Sequence, residues 1–258
     1  MTRLIWTRRQ MLLRGSLALG GLMLTGCDRL NQAPTFRHIL DSTEEGLTRR
    51  AQRLFLAPRQ ALAPEFGEKD LSPVFRSNGT SMPDTEDYQR ILADNFASWE
   101  LRVDGLVMQP LQLSLKALRA LPSRTQITRH DCVEGWSAIG KWNGVPLGAV
   151  LNLAQLRPET RYVVLHCADA LERGGSLYYE SIDLIDAYHP QTLLAYELNG
   201  KSLAVPNGAP LRLRVERQLG YKQAKYIMRI EAVADMHHIQ GGKGGFWEDR
   251  GYEWYAGI

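Results

Sequence analysis

Thr128-Arg-His-Asp-Cys-Val-Glu-Gly-Trp-Ser137 is the stretch around which this chain is organised. One thiol, Cys132, stands there among His130, Asp131, Glu134 and Trp136, with glycines at Gly135 and Gly140. Upstream, Thr125 to Arg129 reads as a short strand. Downstream, Trp142-Asn-Gly-Val-Pro146 reads as a turn, and Pro146 is placed to open a helix through Leu153. Cys132 is therefore expected on a loop leaving a sheet edge, where a rigid scaffold aims a side chain at a ligand. A lone cysteine is as often a small buried thiol that only packs. This stretch alone leaves both readings open.

Working outward, the 258 residues suffice for one large domain or two small ones with a sizeable core. Apolar content of 44% and charged content of 23% are those of an ordinary globular protein. The net charge is +3, but residues 1–26 carry four arginines and no acid, and without them 27 bases face 28 acids. The basic character belongs to the leader, so nucleic acid is not an expected partner. Thr7-Arg8-Arg9-Gln10-Met11-Leu12-Leu13 reads as a twin-arginine signal, followed by an apolar run to Gly26 too short and glycine-rich to span a bilayer. Leu24-Thr25-Gly26-Cys27 resembles a bacterial lipobox, which implies that Cys27 becomes an acylated first residue. An ordinary cleaved signal and an uncleaved anchor are the other readings. The expectation is export by the twin-arginine route to the periplasmic side of the bacterial inner membrane. That route carries folded proteins, as suits a cofactor inserted in the cytoplasm.

Of three cysteines, Cys132 and Cys167 remain after the leader. An oxidising compartment permits a disulfide between them, but a domain this large does not need one. There is no Cys-x-x-Cys, no haem-attachment motif and no zinc spacing. From residue 28 to about 59 the chain is polar and reads as a tether with one helix, its Arg49–Arg53 charge run a solvated face. Prolines then lead into an irregular loop, Pro73-Val-Phe-Arg-Ser-Asn-Gly-Thr80, of the kind that carries function. Trp99–Val103 and Leu106–Met108 read as a hairpin about Asp104-Gly105. Ser114 is placed to cap a helix ended by Pro122, and Tyr162–Cys167 reads as a buried strand. Leu193–Leu198 and Lys201–Val205 flank an Asn199-Gly200 turn. Leu211–Val215 and Tyr226–Ile230 alternate apolar and basic residues, as half-exposed strands do. The class is α+β with more strand than helix.

Asn207-Gly-Ala-Pro-Leu-Arg212, with Leu219-Gly-Tyr-Lys-Gln-Ala-Lys225 after it, resembles the signature of the sulfite-oxidase-fold molybdopterin oxidoreductases. Trp99–Gly105, Leu113–Pro122 and the Cys132 loop fall in that family's order, so the resemblance covers about Pro73 to Val233. It implies β-rich mixed sheets with flanking helices, and one molybdenum on a single molybdopterin with Cys132 as its protein ligand. Thiolate is the soft donor such a metal needs. By the same resemblance, Arg76, Asn78, Asn207, Arg212, Gly220, Lys222, Gln223 and Lys225 bind the pterin or its phosphate. Arg212 would offer a bidentate fork, and the lysines point charges. The domain layout read here is a signal over 1–26, a tether and extension over 27–72, the molybdopterin domain over 73–235 and a C-terminal arm over 236–258 packed on the domain, its glycine and aromatic content suited to a place near the cofactor mouth.

The chain also departs from the family. A polar residue often contacts the cofactor where His166-Cys167-Ala168 stand, and Cys167 reads as a core thiol. Sulfite oxidases carry arginines just after the ligand cysteine, whereas here Val-Glu-Gly-Trp-Ser follows it and the nearby cation in sequence is Lys141. Cys-Val-Glu-x-Trp resembles the bacterial catalytic subunits that reduce methionine sulfoxide in periplasmic proteins, although the tail Met236–Tyr255 does not match them. The expectation is oxygen-atom transfer that reduces neutral S- or N-oxides, with Glu134 repelling a dianion and Trp136 walling the substrate. Electrons would come from a membrane haem subunit or a cytochrome. Sulfite-type oxidation, a Cys132–His130 nucleophile pair and a cofactor-free lipoprotein are the alternatives. His237-His238 reads as a loop pair that binds no metal.

Overall fold

The structure is a computed structural model and describes residues 61–171 and 175–258. The signal, Cys27, the tether and its expected helix lie outside the described residues.

Two sheets of five strands each form the body. The first runs in the order β2 (Leu111–Ser114), β1 (Glu100–Gly105), β10 (Ile227–Val233), β5 (Tyr162–Ala170), β6 (Leu177–Asp183). The second runs β3 (Arg124–Asp131), β4 (Ser137–Pro146), β7 (Leu193–Leu198), β8 (Lys201–Ser202), with β9 (Arg212–Arg214) also paired to β7. Helices Glu86–Ala93, Leu115–Arg119, Leu147–Ala154 and Leu184–Ala187 flank them. Most of the apolar residues of β1, β5 and β10 join the helix Leu147–Ala154 in one large core, with Leu101, Val103, Val163, Val164 and Leu165 fully buried. β5 is apolar almost throughout because both its faces are covered. The class is the expected strand-rich α+β arrangement.

Local chemistry explains several boundaries. Ser114 caps Leu115–Arg119 by accepting from the Ala117 N–H at 3.2 Å. Asn199 and Gly200 both take positive φ (52° and 75°), as the two-residue turn between β7 and β8 requires. Pro146 precedes the helix Leu147–Ala154.

Three expectations need correction. β1 pairs antiparallel with Leu111–Ser114, not with Leu106–Met108. Asp104-Gly105 ends β1 instead of turning a hairpin, because parallel β10 runs alongside. A Cβ on Gly105 would lie 2.3 Å from the Ala232 carbonyl, so this glycine serves close approach. Trp142–Pro146 is not a turn but the end of β4, where the register against β7 shifts between Asn143 and Gly144. That Asn-Gly pair makes a bulge, and a side chain on Gly144 would strike the Leu194 carbonyl at 2.3 Å. Finally, Arg212 and Arg214 of β9 are fully buried, not half-exposed. A strand of alternating charge can be interior only where fixed partners await both cations.

Candidate functional site

Cys132 occupies the turn of the β3–β4 hairpin, and β3 is the edge strand of its sheet. Its N–H donates to the Trp136 carbonyl at 2.9 Å, and Gly135 N–H returns to the Cys132 carbonyl at 3.0 Å. Gly135 takes φ +84°, which the tight turn demands. Cys132 lines a cleft of about 90 Å³ together with the polar residues Asn78, Thr80, Glu134, Asp169, Gln223 and Lys225. Tyr178, Tyr221, Trp247 and Leu171 line the same cleft. Its lining thus combines polar and aromatic side chains with the thiol.

Burial raises the Cys132 thiol above its ordinary pKa; the Glu134 carboxylate adds to this, while the N–H groups of Glu134 and Val133 and the Arg76 cation oppose it. Arg76 is distant in sequence but lies over the Trp136 ring at 5.4 Å. The expectation that Lys141 is the cation near the thiol is thereby corrected, and Lys141 pairs with Glu68. Glu134 Oε2 accepts from Trp136 Nε1–H at 3.0 Å, so the carboxylate and the indole hold each other. An indole hydrogen bond leaves the carboxylate its charge, and Glu134 lines the cleft beside Cys132.

Behind Cys132 the even positions of β3, Gln126, Thr128 and His130, all point inward and are buried. His130 Nδ1 accepts from Arg214 Nη1 at 3.0 Å, which leaves Nε2 as the protonated nitrogen. Burial holds this imidazole well below its ordinary pKa, helped by Arg214 and Arg212, so it is neutral. Such an imidazole makes no nucleophile pair with Cys132: the thiol's pKa is raised and His130 is engaged by Arg214. Arg214 also binds Glu216 through Nε at 3.0 Å and through Nη2, while Glu216 accepts from Gln126 at 2.8 Å. Arg214 and Arg212 lie over the Trp142 ring at 4.4 and 5.0 Å.

Arg212 donates to the Asn207 carbonyl at 3.0 Å and to the Gln223 carbonyl at 3.4 Å, and its Nε is buried without a partner. Burial beside Arg214 lowers its pKa to about 9. Lys225 Nζ donates to the carbonyls of Asn78 (2.6 Å), Pro206 (2.9 Å) and Thr80, and so fastens the Pro73–Thr80 loop over the site. Burial and the Arg212 cation bring its pKa down to about 7. Gly208, at φ +102°, lets Arg212 and Lys225 lie side by side, since a Cβ there would be 3.0 Å from Lys225 Cβ.

The structure therefore gathers Asn78, Cys132, Arg212, Gln223 and Lys225 in one region, with Asn207 joined through its carbonyl and Arg76 through Trp136. It does not bring Lys222 there. That ammonium is fully buried between Glu180 and Glu248, with Trp254 5.1 Å away. Gly220 lines the cleft, yet its absent side chain faces His130, whose Nε2 would lie 2.6 Å from a Cβ. Cys167 is a core thiol, buried on β5. Among the described residues no cluster of three metal-ligating side chains forms, and His238 faces Asp235 at 3.6 Å. Trp247 brings the aromatic C-terminal arm to the cleft, near the cofactor mouth as its composition suited. Sequence reading missed His130 as a second-row donor and Asp169. Only His130 had a signal, as the third polar residue at period two on a strand.

The family model for the oxidoreductase molybdopterin-binding domain matches residues 88–240, more than half of the chain. The YedZ1 protein of Azospira oryzae, named for a protein-methionine-sulfoxide reductase subunit, is 38% identical over 253 residues, covering 96% of this chain and 87% of its own. The MsrP catalytic subunits of protein-methionine-sulfoxide reductase from Xanthomonas axonopodis pv. citri and Xanthomonas campestris pv. campestris are each 35% identical over 189 residues, 68% of this chain and 58% of theirs. This chain thus matches a little over half the length of those two subunits. The sulfane dehydrogenase SoxCD of Paracoccus pantotrophus superposes at TM-score 0.49 with 23% identity, over 54% of this chain and 39% of that one.

The residues fit a molybdopterin. Buried polar atoms without partners lie at the site, Arg212 Nε as a donor and Asn78 Oδ1 as an acceptor. Orphaned buried groups cost about 1–3 kcal/mol each. A ligand that carries an anionic phosphate and a pterin rich in N–H groups satisfies both kinds, beside a thiol suited to the metal. The chain belongs to the molybdopterin-binding oxidoreductases, and its cofactor is molybdenum carried on molybdopterin.

Proposed function

We propose that this protein reduces S-oxides, and N-oxides of similar size, with electrons from a separate redox protein. The observation that carries the reading is the mixed lining of the cleft: Cys132 shares it with polar side chains that suit the cofactor and with the rings of Tyr178, Tyr221 and Trp247, which suit an uncharged, partly apolar substrate. When bound, the molybdenum supplies oxygen-atom transfer, and Cys132 would be its protein ligand, with Arg212, Asn78, Gln223 and Lys225 around the pterin and phosphate. In the net reaction the sulfoxide S–O bond breaks, sulfur keeps an electron pair, and two electrons and two protons carry the oxygen away as water.

The chain's own residues position and exclude. The hairpin turn aims Cys132, while His130 and the Arg214–Glu216 pair hold the strand behind it in place. The cations that a sulfite site would need near a dianion are otherwise engaged: Arg76 lies on Trp136, and Arg214 and Lys222 are ion-paired. The names of the relatives, which refer to methionine-sulfoxide reduction, support the same direction.

Exported by the twin-arginine route and anchored through Cys27 at the periplasmic face of the inner membrane, the protein would meet a membrane haem subunit or cytochrome as its donor. Steady-state turnover of methionine sulfoxide and trimethylamine N-oxide with a reduced viologen donor should exceed sulfite oxidation with ferricyanide. Efficient sulfite turnover would overturn the reading. Replacing Arg8 and Arg9 by alanine should abolish export of the cofactor-loaded protein, and normal export would remove the proposed route.

A further inference from the structure

We propose that the aromatic rings lining the cleft, Tyr178, Tyr221 and Trp247, form a recognition site for a methylated, positively polarised sulfur or nitrogen centre, with Trp247 of the C-terminal segment as its specificity-determining residue. This rests on the reductase reading and adds to it what selects the substrate.

The geometry points to a closed belt. Tyr178 stacks on Phe246 with ring centroids 5.4 Å apart, and Phe246 meets Trp247 edge-on at 5.4 Å. Trp247 lies against Tyr252 at 5.2 Å, and Tyr252 meets Tyr221 edge-on at 5.3 Å. The Tyr178 hydroxyl then donates to the Tyr221 carbonyl at 2.5 Å, which closes the ring of contacts. Three members, Tyr178, Tyr221 and Trp247, line the cleft itself, on the wall that also includes Leu171.

The belt is held rigidly. Tyr221 Oη donates to the Glu253 carbonyl at 2.6 Å, and Leu219 N–H to the Ala256 carbonyl at 2.9 Å. Beneath them, Lys222 bridges Glu180 of β6 and Glu248, the residue after Trp247. Gly245 permits this closeness, because a Cβ there would sit 1.9 Å from Glu248 Oε2. The lysine expected to bind phosphate thus fastens the segment that carries Trp247.

Aromatic faces carry negative potential and favour cations and positively polarised groups within about 6 Å. In a sulfoxide or amine N-oxide the oxygen draws charge from the central atom, so its methyl groups present a positively polarised surface. An aromatic wall therefore welcomes them, whereas the negative ring faces disfavour a sulfite dianion. Selection against sulfite then comes from this wall as well as from the Glu134 carboxylate, which lines the same cleft.

The test is calorimetric titration of the holoenzyme with trimethylsulfonium ion, an unreactive stand-in for the polarised sulfur, alongside steady-state kinetics with dimethyl sulfoxide. The expected result is competitive inhibition by the ion, with Trp247→Leu weakening its binding about tenfold and raising the sulfoxide KM by a similar factor. Trp247→Phe should recover most of the loss. Tyr252→Ala, at a ring 42% exposed, supplies a variant that folds readily and should lose about threefold. Unchanged trimethylsulfonium binding in folded Trp247→Leu or Tyr252→Ala, or no binding by wild type, overturns the proposal. Binding that weakens as expected in a wild-type enzyme that turns over no S- or N-oxide overturns the reductase reading instead.

Discussion

Replacing Gly220 by alanine tests whether the wall behind the cofactor site is as tight as it looks. The new methyl would lie 2.6 Å from His130 Nε2, 2.7 Å from its Cε1 and 3.2 Å from the Asp131 carbonyl. Comfortable contact begins near ~3.5 Å, so the imidazole would have to retreat by about 0.9 Å. Its room to do so is small. The ring lies between Phe75 and Trp136, at 5.8 and 5.5 Å, and Arg214 ties Nδ1 at 3.0 Å while itself bound to Glu216. The backbone must move instead, and overpacking of this kind costs about 1–3 kcal/mol. Gly220 does not occupy the left-handed region, so none of that cost is backbone strain. Gly200 is the control: its φ is +75° with nothing within 4 Å, so alanine there costs about 1 kcal/mol from conformation alone. Urea unfolding and molybdenum content per chain read both effects. The expected outcome is lower stability and lower metal content for Gly220→Ala, against a small stability loss with full metal for Gly200→Ala. A Gly220→Ala protein with wild-type stability and full metal would refute the packing argument.

Cys132→Ser should fold and lose molybdenum-centred activity, because a hydroxyl replaces the soft thiolate, whereas Cys167→Ser should keep metal and turnover; equal behaviour of the two would show that Cys132 is not the protein ligand. Burial, reinforced by Glu248, raises the Glu180 carboxyl well above its ordinary 4.5. The native carboxyl binds its proton more tightly than the unfolded one, so the stability it contributes is full below pH 4.5 and lost as pH rises towards the folded value. Glu180→Gln should flatten that slope in urea midpoints taken from about pH 5 to about pH 9, and an unaltered slope would exclude Glu180 as its source. Lys225→Met would strip the donor from three carbonyls and cost about 2–3 kcal/mol. It should also expose the Pro73–Thr80 loop to earlier proteolytic cleavage, and wild-type cleavage kinetics would show that Lys225 does not fasten it.

Much of the fold was legible because local chemistry and tertiary placement agree. Asn199-Gly200 needs positive φ wherever it stands, Ser114 offers its hydroxyl to the next turn in any context, and the apolar run from Tyr162 can only be covered on both faces. The motif order around Cys132, Asn207–Arg212 and Leu219–Lys225 likewise identified the family and its molybdopterin cofactor. Sequence could not assign partners separated by tens of residues. Lys222 and Lys225 sit three apart in one motif with the same chemistry. One meets Glu180 and Glu248, the other the carbonyls of the Asn78 loop, and only the packed chain decides which. Asn143-Gly144 and Asp104-Gly105 carried genuine turn signals, but the neighbouring strands used those glycines for close backbone approach, as turn propensity yields to a partner strand within contact distance. The buried arginines of β9 looked exposed because alternation records which face a residue takes, not what waits there. Trp247 entered the cleft by the same rule: a tail of glycines and aromatics has no periodicity to read, and its place is set by a buried ion pair to a lysine and a strand far earlier in the chain.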